Sequence, residues 1–166
     1  NRSLDFFEKK ISKEIIEKLL KQKIFKNQKF IEFSPLANQI LASITRIIKK
    51  NNGGVLIIDY GYESKKMFDT LQSVKNHKKN DLLKNIYKAD ITHLINFNFI
   101  KKNIKDLKIS SVNLTTQRDF LLKMGILERA EIVSKNMPFS KKSDIYFRIK
   151  KLIDKKQMGV LFKVLF

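Results

Sequence analysis

The stretch Gly53-Gly54-Val55-Leu56-Ile57-Ile58-Asp59-Tyr60-Gly61-Tyr62 decides the fold, because a short apolar run begins at a glycine pair and ends at an acid, an aromatic residue and a glycine. Such a run is typical of a strand buried on both faces of a parallel sheet, since a helix would need a longer segment. Chemistry in open α/β sheets is concentrated beyond the carboxyl ends of such strands. Asp59 and Tyr60 are therefore the first candidates for catalytic residues.

The composition limits the class of protein. A chain of 166 residues with 43% hydrophobic content can form an ordinary core. No apolar run approaches the roughly 20 residues that a membrane span needs, and no signal peptide pattern is present. The absence of cysteine excludes disulfides and thiolate chemistry. His77 and His93 are not spaced with carboxylates as metal ligands, so no metal site is expected.

The net charge of +19 raises the question of a nucleic-acid partner. Lysine carries most of this charge and is scattered along the whole chain, whereas arginine, the preferred group for bidentate recognition of phosphate and bases, is scarce. This distribution favours the interpretation that lysine and asparagine occupy surface positions that accept many residue types. The charge remains a weak indication of an acidic partner, and nucleic acid is not the expected one.

Hydrophobic spacing in the first half predicts two helices around a strand. Leu4, Phe7, Ile11, Ile15, Leu19 and Leu20 follow Ser3, a good N-cap, with helical spacing. Phe30–Phe33 is a strand candidate, and Ser34-Pro35 begins a helix. The predicted buried face of that helix consists of Leu36, Ile40, Leu41, Ile44, Ile47 and Ile48. With the strand at Val55, these elements form a predicted right-handed βαβ unit.

The second half begins with a long, partly irregular segment, residues 63–90, which by its length is expected to carry function or mobility. Further along, Asn96 and Thr116 are predicted to cap helices, and Gly125 to close the second of these. The remaining predicted elements are a strand at Ile109–Leu114, helices at 126–135 and Ser143–Ile153 with a break at Met137-Pro138, and a strand at Val160–Phe166.

Several motifs occur in an order that resembles a known family. They are Ile31–Pro35, Leu56–Tyr62, Asp69–Val74 with His77, Ala89–Thr92, Phe97, Thr115–Leu122 with Gly125-Ile126, and Met158-Gly159 with Phe162–Leu165. Each motif alone is weak, but their shared order from Phe30 to Phe166 is similar to that of the MidA-type methyltransferases, which use S-adenosylmethionine. The resemblance covers all but the leading helix.

The resemblance implies an α/β fold, namely the C-terminal half of a Rossmann-like class I methyltransferase sheet with flanking helices. Residues 1–29 would be an amphipathic helical segment and residues 30–166 the methyltransferase-like part, with Lys108–Leu114 and Val160–Phe166 as a terminal antiparallel pair. Relatives support respiratory complex I, and the mitochondrial member methylates an arginine of a complex I subunit. The implied location is the bacterial cytoplasm or, in a eukaryote, the mitochondrial matrix.

The family binds its cofactor on a glycine-rich turn between a strand and a helix, and this chain has no Gly-x-Gly-x-x-Gly sequence. The cofactor-binding half is therefore expected to be missing. We expect no S-adenosylmethionine binding by the chain alone, although the intact enzyme would use it. We also expect an exposed strand edge that associates with a separate or upstream N-terminal half, or with a second copy of the chain.

Asp59 and Tyr60 are the predicted catalytic residues. The Asp59 carboxylate could orient a nucleophilic nitrogen or accept its proton, or it could simply cap the loop that follows. Tyr60 and Tyr62 could form the walls of a pocket for a flat guanidinium, or they could pack at the edge of the sheet.

Tyr62, His77, Asp90, Thr92 and Gln117 are the predicted substrate-binding residues, the middle three because they match family positions. An exposed histidine among lysines is more often solvated, and Asp90 and Thr92 could instead form a local side-chain turn. The family usually has His-Val-Asp-Phe where this chain has Leu94–Phe97, so an acid is replaced by Asn96.

The sequence is also compatible with two other functions. One is a non-catalytic protein-interaction module derived from the methyltransferase fold. The other, less favoured, is a basic nucleic-acid-binding protein.

Overall fold

The run that begins at Gly53 forms a six-residue strand in the computed structural model, which describes residues 4–21, 28–109 and 111–166. In chain order the elements are α1 (Lys13–Lys21), α2 (Pro35–Asn51), β1 (Ile57–Tyr62), β2 (Gln72–Lys75), β3 (Lys78–Asn80), β4 (Asp90–Thr92), β5 (Ile95–Asn96), α3 (Phe97–Asp106), β6 (Leu114–Thr116), α4 (Gln117–Lys123), α5 (Ile126–Ser134), α6 (Phe139–Ile153), α7 (Met158–Leu161) and β7 (Phe162–Leu165).

The chain divides into two compact units, which we describe separately. The first comprises Asn1–Pro35 and Lys65–Leu94, and the second comprises Leu36–Ser64 and Ile95–Phe166. The boundary predicted after residue 29 lies inside the first unit. As a domain boundary of the family, it stays a prediction.

The second unit contains a mixed four-stranded sheet in the order β5-β1-β7-β6. β1 pairs in parallel with β5 at Gly61 and Tyr62, and antiparallel with β7 along Ile57–Tyr60. β7 also pairs antiparallel with β6, which confirms a terminal antiparallel pair. The first strand of that pair begins later than predicted, because α3 continues to Asp106 and the chain then turns at Lys108, whose φ is 62°.

An apolar row crosses three strands of this sheet and forms the centre of the core. Ile57 lies opposite Leu165, which lies opposite Leu114, so the three side chains share one face. α2 and α3 cover this face with Leu41, Phe97 and Ile104, and Phe97 is fully buried. Val164 alternates with Leu165, is also fully buried and faces the side of α4 and α7.

The strand predicted at Phe30–Phe33 is wrong, and with it the βαβ unit built on that strand. Residues 30–34 form neither helix nor strand and belong to the first unit. The parallel partner of β1 is instead β5, which follows β1 in the chain. A short apolar run becomes a strand only where another strand's backbone is available to pair with it.

The buried face predicted for α2 is correct on one side only. Leu41 is buried together with Thr45, whereas Leu36, Ile40 and Ile47 are 64%, 50% and 61% exposed. The apolar arc of this helix is therefore wider than the surface that the core of the second unit covers.

The first helix is shorter than predicted. α1 begins at Lys13, where the Ser12 hydroxyl accepts a hydrogen bond from the Ile15 N–H at 3.3 Å. Residues 4–12 are not helical, and Ser3 lies outside the described residues. Within the described ranges, no helix is both long and apolar enough to cross a bilayer.

The segment predicted to be irregular contains a three-stranded antiparallel sheet in the order β3-β2-β4, which belongs to the first unit. Asn76 and His77 form the two-residue connection between β2 and β3, with φ values of 50° and 60°. Positive φ at both residues is the signature of a type I′ hairpin turn, to which asparagine is well suited.

Candidate functional site

A polar row lies beside the apolar one on the same face of the four-stranded sheet. Asp59 of β1 is directly opposite Lys163 of β7, and Lys163 is directly opposite Thr116 of β6. Because side chains at paired positions point the same way, a carboxylate, an amine and a hydroxyl lie on this same face. We call Asp59, Lys163 and Thr116 the polar row.

Asp59 lies inside β1, since the strand continues through Tyr62. The sequence predicts that Asp59 and Tyr60 lie at the carboxyl end of this strand, and the strand continues two residues beyond Tyr60 because Gly61 and Tyr62 pair with β5. Asp59 is half-buried, and its Oδ1 accepts a hydrogen bond from the Tyr60 N–H at 2.8 Å. In the described ranges of the chain, no hydrogen bond reaches Asp59 Oδ2.

Lys163 is a member of the polar row that sequence reasoning did not single out as a functional residue. Burial lowers the pKa of its amine, and the nearby Glu63 carboxylate partly opposes this shift. Its Nζ donates to the Val160 carbonyl oxygen. The signal in the sequence was one charged residue within the apolar strand Phe162–Leu165.

Gly61 allows the chain to pack closely below the polar row. A Cβ atom at this position would lie 2.2 Å from the Ile95 carbonyl oxygen and 2.8 Å from the Phe97 ring. Only glycine lets β1, β5 and the first residue of α3 approach to this distance.

Tyr60 lies on the opposite face of the sheet from Asp59, because successive strand residues alternate. Its ring meets that of Phe162 edge to face, with the centroids 5.7 Å apart and the planes at 76°. The structure therefore does not bring the two predicted catalytic side chains together on one face. Tyr62 alternates in the same way and shares the Tyr60 face.

Gln117 is buried at the start of α4, and its Nε2 donates to the Leu152 carbonyl oxygen at 2.9 Å. The neighbouring Arg118 donates from Nη1 to the Ile153 carbonyl oxygen at 2.7 Å. Both side chains thus hold the C-terminal end of α6, where backbone carbonyls lack helical partners. A substrate contact for Gln117 stays a prediction.

His77, Asp90 and Thr92 lie in the first unit, on the three-stranded sheet. His77 is exposed at the hairpin turn, Asp90 is paired with Val74, and Thr92 is paired with Gln72. The register places His77 and Asp90 toward the same end of this sheet. Their roles in binding substrate stay predictions.

A second polar cluster in the first unit was not predicted. The Thr70 hydroxyl donates to Glu32 Oε1 at 3.4 Å and accepts a hydrogen bond from the Leu94 N–H at 3.0 Å. Glu32 Oε2 lies 3.6 Å from His93 Nδ1. Glu32 and Thr70 belong to two separate motifs, so their pairing was not visible in either motif alone.

Asn96 occupies the position where the family has an acid, and it is the N-cap of α3 as predicted. Its Oδ1 accepts from the Phe99 N–H at 3.2 Å, and its Nδ2 donates to the Ser64 carbonyl oxygen at 3.2 Å. A carboxylate could make the first bond but not the second, so the amide fits this environment.

The glycines show whether the chain could hold S-adenosylmethionine on a backbone cradle. Gly53 and Gly54 face open space in the connection from α2 to β1, which runs from helix to strand rather than strand to helix. Gly61 and Gly159 approach this chain's own backbone, and Gly125, with φ of 76°, lies at the turn between α4 and α5. None of the five glycines therefore forms the cradle that the cofactor needs.

A protein-family model described as "Putative S-adenosyl-L-methionine-dependent methyltransferase" matches residues 1–115, which is more than half of the chain. The chain belongs to this methyltransferase family. The resemblance inferred from the ordered motifs is thereby confirmed.

Curated relatives carry the name protein arginine methyltransferase NDUFAF7, mitochondrial. The zebrafish (Danio rerio) protein is 28% identical over 137 residues, 82% of this chain and 32% of that protein. The Xenopus tropicalis protein is 30% identical over 134 residues, 80% of this chain and 31% of that protein. The chain therefore spans about a third of the length of these relatives.

Solved structures support the fold. An uncharacterized COG1565 superfamily protein from Burkholderia thailandensis superposes on this chain with a TM-score of 0.69 at 20% identity. The match covers 95% of this chain and 43% of that one. Another member from the same organism, solved with bound S-adenosyl-homocysteine, superposes with a TM-score of 0.67 at 21% identity. That match covers 93% of this chain and 41% of the other. The predicted Rossmann-like methyltransferase fold is confirmed.

Proposed function

We propose that this chain is the acceptor side of an S-adenosylmethionine-dependent protein arginine methyltransferase that acts on a subunit of respiratory complex I. The observation that carries the proposal is the 30% identity to the Xenopus tropicalis arginine methyltransferase over 134 residues. Within this chain a match of that length includes β1, and therefore Asp59.

In this proposal Asp59 binds the arginine side chain that accepts the methyl group. A carboxylate can form charge-assisted hydrogen bonds to a guanidinium and can take its proton as the nitrogen reacts. Oδ1 is held by the Tyr60 N–H, which fixes the carboxylate and leaves Oδ2 to face the acceptor. Tyr60 packs on Phe162 and stabilises the strand that carries Asp59.

Tyr62, His77, Asp90, Thr92 and Gln117 would contact the substrate protein. Asp90, exposed on β4, would attract a cationic segment. Tyr62 lies on the face opposite Asp59, so its ring would stack on a different cationic side chain of the substrate protein from the acceptor arginine. The enzyme would act in the mitochondrial matrix of a eukaryote or in the cytoplasm of a bacterium.

Since none of the five glycines lies in a strand-to-helix turn of the kind that binds the cofactor, we propose that another part of the enzyme binds it. We infer that the chain alone is inactive. A separate or upstream N-terminal half is then the first partner, and the complex I subunit is the second.

The test replaces Asp59 with asparagine in the enzyme that contains both parts and measures methyl transfer to arginine. A proton acceptor contributes about 10²- to 10⁴-fold to rate, so a loss of that order is expected with an unchanged melting temperature. Asp106→Asn is the matched control, because Asp106 is an exposed acid at the end of α3. Full activity of Asp59→Asn, or an equal loss in the control, would contradict the role of Asp59.

The interaction-module alternative predicts a different result from the same preparation. It requires stable binding of the complex I subunit without any methyl transfer by the intact assembly. The exposed apolar residues of α2 favour this alternative, because such residues can bind a partner protein.

A further inference from the structure

A cavity of about 570 Å³ lies within the second unit, between α4, α5 and α6. Its apolar part consists of Leu127 of α5 with Ile149 and Ile153 of α6, and the Tyr146 side chain also lines it. Ligand sites of proteins have this size and this largely apolar and aromatic lining, with a few polar groups that fix the orientation of the ligand. The cavity is therefore large enough for a small organic molecule.

The polar part of the cavity is strongly cationic. Arg118, Lys150, Lys155 and Lys156 line it. Asp154 is the one acid among the lining residues, and its Oδ1 accepts a hydrogen bond from the Lys156 N–H at 2.8 Å. Four cations and one acid give a formal charge of +3. Within residues 4–21, 28–109 and 111–166, none of the four cations takes part in an ion pair. The cavity is therefore electrostatically matched to a multiply charged anion.

Arg118 is held in place at the wall of this cavity. Its Nη1 donates to the Ile153 carbonyl oxygen at 2.7 Å, and the side chain is half-buried. A guanidinium carries five N–H donors in a rigid plane, so one bond to the backbone leaves the others for a ligand. In the part of the chain that the structure describes, neither Nη2 nor Nε of Arg118 donates a hydrogen bond. A guanidinium fixed in this way can bind a phosphate through two parallel N–H···O bonds.

The C-terminal end of α6 borders the cavity, and carbonyl oxygens without donors there would repel an anion. Most of these oxygens already accept hydrogen bonds. The Leu152 oxygen accepts from Gln117 at 2.9 Å, and the Lys150 oxygen accepts from the Asp154 N–H at 2.8 Å. Together with Ile153, three of the last four carbonyl oxygens of the helix therefore have a donor. The helix end thus opposes an anion less than a bare end would.

We propose that this cavity binds a nucleoside phosphate. The phosphates lie between Arg118 and the three lysines, and the flat base lies on the apolar part beside Tyr146. A diphosphate ester carries about three negative charges at neutral pH, which matches the +3 of the cavity. S-adenosylmethionine has no phosphate and a net positive charge, so the same cations disfavour it. The proposal goes beyond the proposed function and does not depend on it, because the cavity contains none of the residues assigned to methyl transfer.

Calorimetric titration of the full chain with adenosine 5′-diphosphate tests the proposal, with adenosine and inorganic pyrophosphate as the two halves of the probe. We expect saturable binding of the diphosphate below about 1 mM. Each half should bind at least about tenfold more weakly, because the base and the phosphates contact different parts of the cavity. The chain has five arginines, so the Nε–H signal of Arg118 can be assigned by NMR. That signal should shift when the diphosphate is added.

Two neighbouring lysines of α6 provide a matched pair of variants. Lys150 lines the cavity, whereas Lys151 does not, and its Nζ lies 4.8 Å from the centre of the Phe147 ring. Each change to glutamine removes one positive charge, so the attraction of the whole chain for an anion falls equally. We expect Lys150→Gln to weaken binding of the diphosphate about tenfold, and Lys151→Gln to weaken it less than about twofold at physiological salt.

Arg118→Lys tests the guanidinium itself. The variant keeps the charge but loses the planar fork, so we expect binding of the diphosphate to weaken about tenfold. Thermal unfolding without ligand shows whether the bond to Ile153 is needed for the fold. If this variant unfolds, the two variants of α6 still decide the outcome.

Four outcomes would overturn the proposal. Equal losses in Lys150→Gln and Lys151→Gln would mean that the net charge of the chain attracts the anion, rather than the cavity. Pyrophosphate that binds as tightly as the diphosphate would mean that the site takes an anion without a base. An Arg118 signal that does not shift would place the ligand elsewhere on the chain. A titration without saturation would mean that the cavity does not bind nucleoside phosphates.

Discussion

Lys163 places an amine in the middle of a sheet where three strands meet. Burial lowers the pKa of this amine in the folded chain relative to the unfolded value of 10.5. Between the lowered pKa and 10.5, the unfolded chain therefore binds the proton more than the folded chain does. The free energy of unfolding must rise as pH increases through this window.

A Lys163→Met variant should lose this pH dependence. Urea unfolding of the parent chain and the variant, from neutral pH up to 10.5, measures the difference. We expect the free energy of unfolding of the parent chain to increase relative to that of the variant as pH rises. Deprotonation of Lys163 removes the free-energy cost of burying an ammonium group, and the variant has no such group. Lys105→Met, at an exposed position of α3, serves as the control and should follow the parent. Parallel curves for parent and Lys163→Met would contradict the shift.

Gly61 is the second residue whose environment gives a quantitative expectation. Gly61→Ala should destabilise the chain by about 1–3 kcal/mol or more, because the added Cβ meets the Ile95 carbonyl oxygen and the Phe97 ring. Gly54→Ala adds the same methyl group into open space and should be neutral or stabilising by less than about 1 kcal/mol. Denaturant unfolding of both variants makes the comparison, and equal effects would mean that β1 and β5 are not closely packed.

At the scale of elements, the cap of α4 links the polar row to the helices. The Thr116 hydroxyl accepts from the Asp119 N–H at 3.1 Å and donates to Asp119 Oδ2 at 2.6 Å. Thr116→Ala should therefore cost about 1 kcal/mol of unfolding free energy, whereas Thr116→Ser keeps the hydroxyl and should restore most of it. Thermal unfolding of the two variants is the measurement. A serine variant as unstable as the alanine variant would assign the loss to the missing methyl group.

Elements whose signals are local could be predicted from the sequence. Asn96 and Thr116 were identified as helix caps because one side chain and the N–H three residues later suffice for a cap. Gly125 closed its helix for a similarly local reason, since its positive φ suits glycine.

Pairing between distant segments could not be predicted in the same way. Phe30–Phe33 resembles a strand in composition, yet no strand in the described ranges pairs with it. The hairpin at Asn76-His77 lies among lysines that conceal its alternation. Asp59 was a candidate from its position in the chain, whereas its neighbour Lys163 is more than 100 residues away and is brought there only by the register of β1 and β7.

At the scale of the whole molecule, the placement of all five glycines predicts the behaviour toward the cofactor. Calorimetric titration of the chain with S-adenosylmethionine should give no saturable signal, because none of these glycines forms a backbone cradle. The joined or reconstituted enzyme is the positive control. A saturable micromolar site on the chain alone would mean that other residues hold the cofactor.

The position of β7 also has a consequence for how the protein is made. The strand lies between β1 and β6, although the ribosome synthesises it after both of them. Until Phe162–Leu165 has left the exit tunnel, the nascent chain presents Ile57 and Leu114 without the Leu165 that later joins them. The β1–β7–β6 part of the sheet must therefore form after translation of β7, and during that delay Ile57 and Leu114 are available to chaperones.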